Sequence, residues 1–454
     1  MLTKLSLRNF KSWEVIQDMH LAPITGLFGT NSSGKTSLIQ FFLMLRQTVG
    51  SPDRAQVLNL GDERSLVSLG TFRDVIHQHT EPGLLSCRFS WTLPKEMKIR
   101  DPEQKNVMLF TGKEMEFGVE ITENGAGRVI VNNLEYGFGG YHFSLKRKSE
   151  KEGKYELSVY PDTFRFQRTR GRVWDLLAPV KCYGFPDRAK VYYQNGGFLA
   201  DLELSFEQMF SRIYYLGPLR EYPKRQYTWA GAQPADMGQR GENAIDALLA
   251  SRERGEKISR GKGRKRLTIE EYVSWWLREL KLIEDFSVKP ITKESNLYQV
   301  WVRKAHKSSE VLITDVGFGV SQLLPVLVLC YYVPEGATVL LEQPELHLHP
   351  SVQSGLADVF IDVAKNRNVQ IILESHSEHL LRRFQRRIAE EKISNDDTSL
   401  YFCDISRGIS KLVPLELDLF GNIQNWPEGF FGDDLGEMAA MTRAAMERQK
   451  GQRA

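Results

Sequence analysis

Cysteine is scarce in this chain: four in 454 residues, Cys87, Cys182, Cys330 and Cys403, too scattered for a metal-ligand spacing or a disulfide framework. They read as buried free thiols. No apolar run reaches membrane-spanning length, and the opening stretch MLTKLSLRNFKSWEV has no apolar signal region, so a cytoplasmic protein is expected. An excess of one charge is lacking as well. Sixty Lys and Arg stand against 57 Asp and Glu, and a net charge of +3 gives no argument for nucleic-acid binding by the chain as a whole. No repeat of solenoid period is visible. The length and an apolar fraction of 41% fit a globular chain of two or three domains.

Against these absences stands one complete pattern, GTNSSGKT at residues 29–36, a G-x-x-x-x-G-K-[ST] phosphate loop. An apolar strand (residues 24–28) precedes it and an apolar helical stretch (SLIQFFLML, 37–45) follows, which is the context the motif requires. Its glycines let backbone N–H groups close on phosphate oxygens at a helix N-terminus. Gly29, Asn31, Ser32, Ser33, Gly34, Lys35, Thr36 and Ser37 form the expected phosphate-binding set. Lys35 is expected on the β/γ-phosphates and Thr36 on Mg²⁺, with ATP as the nucleotide.

Along the chain, residues 2–22 alternate as a hairpin, and residues 70–77 predict a loop-to-helix step near the nucleotide. Short alternating runs (CRFSWTL, MEFGVEI, GRVIVNN, YHFSL, YELSVY, KVYYQ) then predict a β-rich lobe. A basic loop follows, carrying Arg252, Arg254, Lys257, Arg260, Lys262, Arg264, Lys265 and Arg266. Its cations suit contact with a DNA backbone through counterion release, and equally suit a solvated surface loop. Residues 269–283 predict an amphipathic helix whose Trp275 and Trp276 face the core. Strand and helix alternate again from residue 296, in the manner of a parallel sheet. One α/β nucleotide-binding domain with a mostly parallel sheet is therefore expected from both ends of the chain: residues 1–82 and 296–385, with a β-rich insert at 83–295 and an extension at 386–454.

The stretch ATVLLEQPELHLHP (337–350) ends a buried strand in acidic residues, where an open α/β sheet places its ligand. Glu342 is the expected Mg²⁺ carboxylate, and Gln343 stands where an attacking water would be oriented.

The phosphate loop, DVGFGVSQ (315–322), LLEQPELHLHP and IILESHS (371–377) fall in the order seen in ABC-type ATPases. The chain resembles their OLD/RecF-like branch, related to the SMC proteins, over residues 1–80 and 296–385. Residues 415–437 resemble a C-terminal domain of unknown function that follows a subset of these ATPases. The resemblance implies that Gly319, Ser321 and Gln322 belong to a signature motif contacting the γ-phosphate of ATP bound to a second copy. His376 would be the switch histidine. His347 and His349 with Glu345 suggest a metal site by composition, but the family's LHLHP segment implies a dimer-interface loop instead.

The family usually carries a carboxylate where Gln343 stands. An amide orients water but is no general base, so hydrolysis is expected to be slow, to run through Glu345, or to be absent. No coiled-coil heptads or C-terminal nuclease are evident. The resemblance implies an ATP-sandwich homodimer, or a higher oligomer, controlling a separate effector such as a nuclease or toxin in anti-phage defence or DNA maintenance. Two alternatives stand beside it, an ATPase acting directly on DNA and a nucleotide-sensing scaffold without useful turnover.

Overall fold

A computed structural model describes residues 1–101, 107–148, 153–169, 175–259, 261, 263–427 and 440–445. In chain order the first third gives β1 (Leu2–Phe10), β2 (Trp13–His20), β3 (Ile24–Gly29), α1 (Lys35–Gly50), α2 (Phe72–Val75), β4 (Leu84–Arg100), β5 (Met108–Glu123), β6 (Val129–Phe138), β7 (Tyr141–Arg147) and β8 (Tyr155–Tyr160). Next come α3 (Asp187–Tyr192), α4 (Leu199–Ser211), β9 (Ile213–Leu216), β10 (Tyr227–Thr228), α5 (Ala244–Glu253), α6 (Ile269–Glu279), β11 (Asp285–Pro290), β12 (Leu297–Arg303) and β13 (Glu310–Leu312). The last part supplies α7 (Phe318–Tyr332), β14 (Thr338–Glu342), α8 (Pro350–Arg367), β15 (Gln370–Glu374), α9 (Glu378–Ala389), β16 (Thr398–Ser406) and β17 (Ile409–Pro414).

The central sheet runs β17-β16-β3-β15-β14-β9, parallel except for β17. Every residue of β3, β14 and β15 is buried, because helices or a second sheet cover both faces of these apolar runs. Successive side chains feed different cores: Leu340 joins the cluster containing α1 and the β-rich sheet, while Val339 and Leu341 join the one containing α7 and α8. β15 therefore lies between the strand that feeds the phosphate loop and the strand that ends in Glu342.

The second sheet is antiparallel, in the order β2-β1-β4-β5-β6-β7-β8. Its aromatic core includes Phe89, Phe117 and Phe206 in mutual ring contact. The antiparallel sheet crosses the expected boundary at 83, and the central sheet crosses those at 83, 296 and 386. β1 pairs with β4, β9 lies beside β14, and β16 lies beside β3. The β-rich lobe is thus one sheet with the N-terminal hairpin, and residues 398–414 complete the central sheet. KVYYQ, read as strand, lies largely in α3, with Pro186 at its N-cap and Asp187 in its first turn. Those helix-start signals outweigh a short alternation.

Candidate nucleotide site

Gly29 leaves β3 at φ 132°, and a Cβ there would stand 2.0 Å from the Cys403 carbonyl oxygen. Gly34 has φ 92°, and its Cβ would meet Ser410 Oγ at 2.6 Å and Ser12 Oγ at 2.7 Å. Only glycine fits either place without strain. Trp13 Nε1 donates to the Gly34 carbonyl at 3.0 Å, and Ser33 Oγ donates to that of Thr30 at 2.8 Å, so the loop is braced from outside and within.

Lys35 opens α1 and turns back over the loop. Its ammonium donates to Gly29 O at 3.1 Å, Thr30 O at 2.6 Å and Ser33 Oγ at 3.3 Å. Burial lowers its pKa, opposed by the charges of Glu374 and Glu345. Thr36 Oγ1 donates to Glu374 Oε2 at 2.8 Å, which ties the loop to the end of β15.

Glu342 and Glu374 are directly paired in the register of β14 and β15. Glu342 Oε1 accepts from the Tyr215 hydroxyl at 2.9 Å. Its pKa is pushed up to about 7, first by burial and then by the charge of Glu374. Burial also raises Glu374, while its hydrogen bond from Thr36 and the Lys35 charge pull the other way. Gln343 has φ 43° and donates its backbone N–H to Glu374 O at 2.9 Å.

Glu345 Oε1 accepts from Ser375 Oγ at 2.7 Å and from His376 N at 2.8 Å, while its buried Oε2 has no partner. This carboxylate fixes the backbone that presents His376. Burial, followed by the Lys35 charge, lowers the pKa of His376. Glu342, Gln343, Glu345 and His376 are thus gathered beside the loop.

Ser321 lies elsewhere. Its Oγ donates to Phe318 O at 2.8 Å in the first turn of α7, and among the described residues no hydrogen bond joins it to the phosphate loop. Gln322 is buried with Nε2 unpartnered. Beside Gly319, Phe318 is 41% exposed and touches the rings of His347 and Tyr222, and Leu219, close to Tyr222 in sequence, is exposed too. His349 caps α8 by accepting from Ser351 N. No group of three or more His, Cys, Asp or Glu able to hold a metal occurs among the described residues.

In the basic loop, Arg252 pairs with Glu270 and Arg254 with Glu256. Lys257, Arg264, Lys265 and Arg266 are exposed, and Arg260 and Lys262 lie outside the described residues. Sequence reasoning left Tyr215, Arg220 and Glu374 without roles. Arg220 is buried beside Glu342, with Nε and Nη1 unpartnered. Glu374 ends an apolar strand just as Glu342 does, and that was its available signal.

Residues 255–381 match the family model described as an AAA ATPase domain, and residues 393–441 match one described as a protein of unknown function. The second match covers the whole of the tail resemblance at residues 415–437. No curated protein matches the chain. Among solved structures, an SMC head bound to the C-terminal winged-helix domain of ScpA is 12% identical, covering 92% of this chain and 98% of its own at a TM-score of 0.44. The SMC head domain from Thermotoga maritima is 12% identical, covering 91% and 99%, with a TM-score of 0.40. A Pyrococcus furiosus complex, an SMC head with an extended coiled coil bound to the C-terminal domain of ScpA, gives 11%, 92%, 96% and 0.40. Residues 255–381 are thus similar to an AAA ATPase domain, and the phosphate loop at residues 29–36 agrees with that similarity. No helix among the described residues is long and apolar enough to cross a membrane.

Proposed function

We propose that the chain binds ATP with Mg²⁺ in the loop at residues 29–36, hydrolyses it slowly, and uses the bound nucleotide to join a second copy. The observation that carries this reading is the convergence of Lys35, Thr36, Glu374 and His376 on one loop. Its donor set suits a hard cation: a hydroxyl and buried carboxylates, with no thiolate. Mg²⁺, when bound, neutralises charge on the phosphates. Lys35, released from its own loop carbonyls, would meet the phosphates, and the loop N–H groups would cradle them. Gln343 would orient water without removing its proton, which supports slow turnover.

Among the described residues no hydrogen bond ties Ser321 to its own chain's loop, and exposed Phe318 and Tyr222 lie in ring contact beside the signature turn. Both features support a site closed by a second copy, as the resemblance implies. We read the effector as a separate protein, in anti-phage defence or DNA maintenance. A direct DNA-binding reading rests on the exposed Lys257, Arg264, Lys265 and Arg266.

Calorimetric titration tests the nucleotide reading. Lys35→Ala should weaken ATP binding by about 30-fold or more, the scale of losing one partner of a buried charge pair. Equal affinity in wild type and variant would refute it.

A further inference from the structure

We propose that the cavity at the foot of the basic loop binds the terminal phosphate of a DNA strand. This site deepens the direct DNA-binding reading above, on which it rests, and is independent of ATP.

The cavity has a volume of about 460 Å³ and lies between the bridge that joins Ile258 to Leu267, the last turn of α7 and the turn that leads into β14. Pockets for small ligands span about 300–1,000 Å³, so a phosphate ester fits. Tyr332 ends the helix whose first turn holds Ser321. At 1.5 Å of rise per residue, the cavity is therefore roughly 20 Å from the signature turn, at the opposite end of α7.

Charge selects the ligand. Arg254, Lys257, Arg266 and Arg367 line the cavity against two carboxylates, Glu256 and Glu335, which leaves a surplus of two positive charges. A terminal phosphate carries about 1.5 to 2 negative charges near neutral pH, whereas an internal phosphodiester carries about one. Arg254 is already committed. It forks onto Glu256 at 2.8 and 3.1 Å, with its guanidinium 5.4 Å from the centre of the Tyr332 ring. The side chains of Lys257 and Arg266 are exposed and make no hydrogen bond or ion pair among the described residues. Ile258 and Leu267 exchange backbone hydrogen bonds of 2.7 and 3.1 Å, so the residue before each projects to the same side of the bridge. Lys257 and Arg266 thus stand together on one lip.

Arg367 is the most buried of the four, at 9% exposure. Its Nη2 donates to the Val333 carbonyl at 2.6 Å, and its buried Nε has no partner. A buried guanidinium with an unmet donor is costly, and an anion in the cavity offsets that cost. The loop favours a strand over a small ester. Arg264 and Lys265, both exposed, directly precede Arg266, a run of cations suited to the internal phosphates of a chain.

Fluorescence anisotropy at low salt without ATP tests this with three versions of one internally labelled single-stranded DNA: a 5′-phosphate, a 3′-phosphate, or neither. One phosphorylated strand should bind wild type about 10-fold more tightly than the bare strand, the scale of one charged hydrogen bond. Lys257→Gln with Arg266→Gln, both at exposed positions, should abolish that preference. Arg264→Gln with Lys265→Gln should weaken all three strands alike and keep the ratio. The site is overturned if neither phosphorylated strand is preferred, or if the preference survives Lys257→Gln with Arg266→Gln. It is also overturned if ribose 5-phosphate competes as well as the unlabelled strand, which would make a small sugar phosphate the ligand. Wild type that binds no strand at all would bring down the DNA-binding reading, and this site with it.

Discussion

Two carboxylates, Glu342 and Glu374, face each other across adjacent parallel strands with no cation fixed between them, since Lys35 is occupied by its own loop. The cost of that arrangement depends on pH. Burial and the neighbouring Glu374 charge push the Glu342 carboxyl up to about 7 from the ordinary 4.5, so between these values the folded chain holds more proton than the unfolded one. Stability contributed at this site is therefore full below about pH 4.5 and falls until about pH 7. Glu342→Gln removes the charge yet still accepts from Tyr215. In denaturant titration without nucleotide it should be more stable than wild type by about 1–3 kcal/mol at pH 8, with the difference closing toward pH 5. A constant difference across that range would show that ionisation is not the cause. Gly29→Ala should do the opposite at any pH. Its Cβ would be driven against the Cys403 carbonyl at a left-handed φ, a loss of about 2–5 kcal/mol in the same assay. At this scale the sequence was most legible where motif and backbone geometry coincide, as at Gly34 and Lys35. It was least legible at Glu374, because nothing in an apolar strand reveals which neighbour its last residue will meet.

Among the elements, β3 and α1 were readable because a wholly buried parallel strand is a continuous apolar run and the loop marks its end. β9 and β16 could not be placed the same way. Each pairs with a strand far away in sequence, and parallel pairing leaves no local turn signal to announce it. The β-rich lobe was legible as strands, although its continuity with the N-terminal hairpin depends on the β1 to β4 pairing that only the fold shows. The basic loop divides in two. Arg252 is tied to Glu270 and the Val288 carbonyl, so its removal should cost stability. Neutralising Lys257, Arg264, Lys265 and Arg266 together should leave stability within about 0.5 kcal/mol of wild type. If the loop grips duplex DNA, that variant should also lose affinity at low salt and show a shallower salt dependence. Unchanged DNA binding in the variant would remove the loop from that role.

At the scale of the molecule, the central sheet gathers Lys35, Thr36, Glu374 and His376 at one end, while Ser321 sits buried in the first turn of α7, beside the exposed Phe318 whose ring touches that of Tyr222. A loop shaped to hold phosphates and a signature turn whose Ser321, among the described residues, has no hydrogen bond to that loop amount, on the proposed reading, to two halves of a site. Slow turnover at Gln343 would let the joined state persist long enough to act on an effector. Sedimentation equilibrium with Mg²⁺-ATP tests this central claim most directly. The account predicts that ATP doubles the mass of the wild-type chain, and that Ser321→Arg binds ATP yet stays at the nucleotide-free mass. ATP-bound wild type at an unchanged mass, or Ser321→Arg assembling as wild type does, would contradict it.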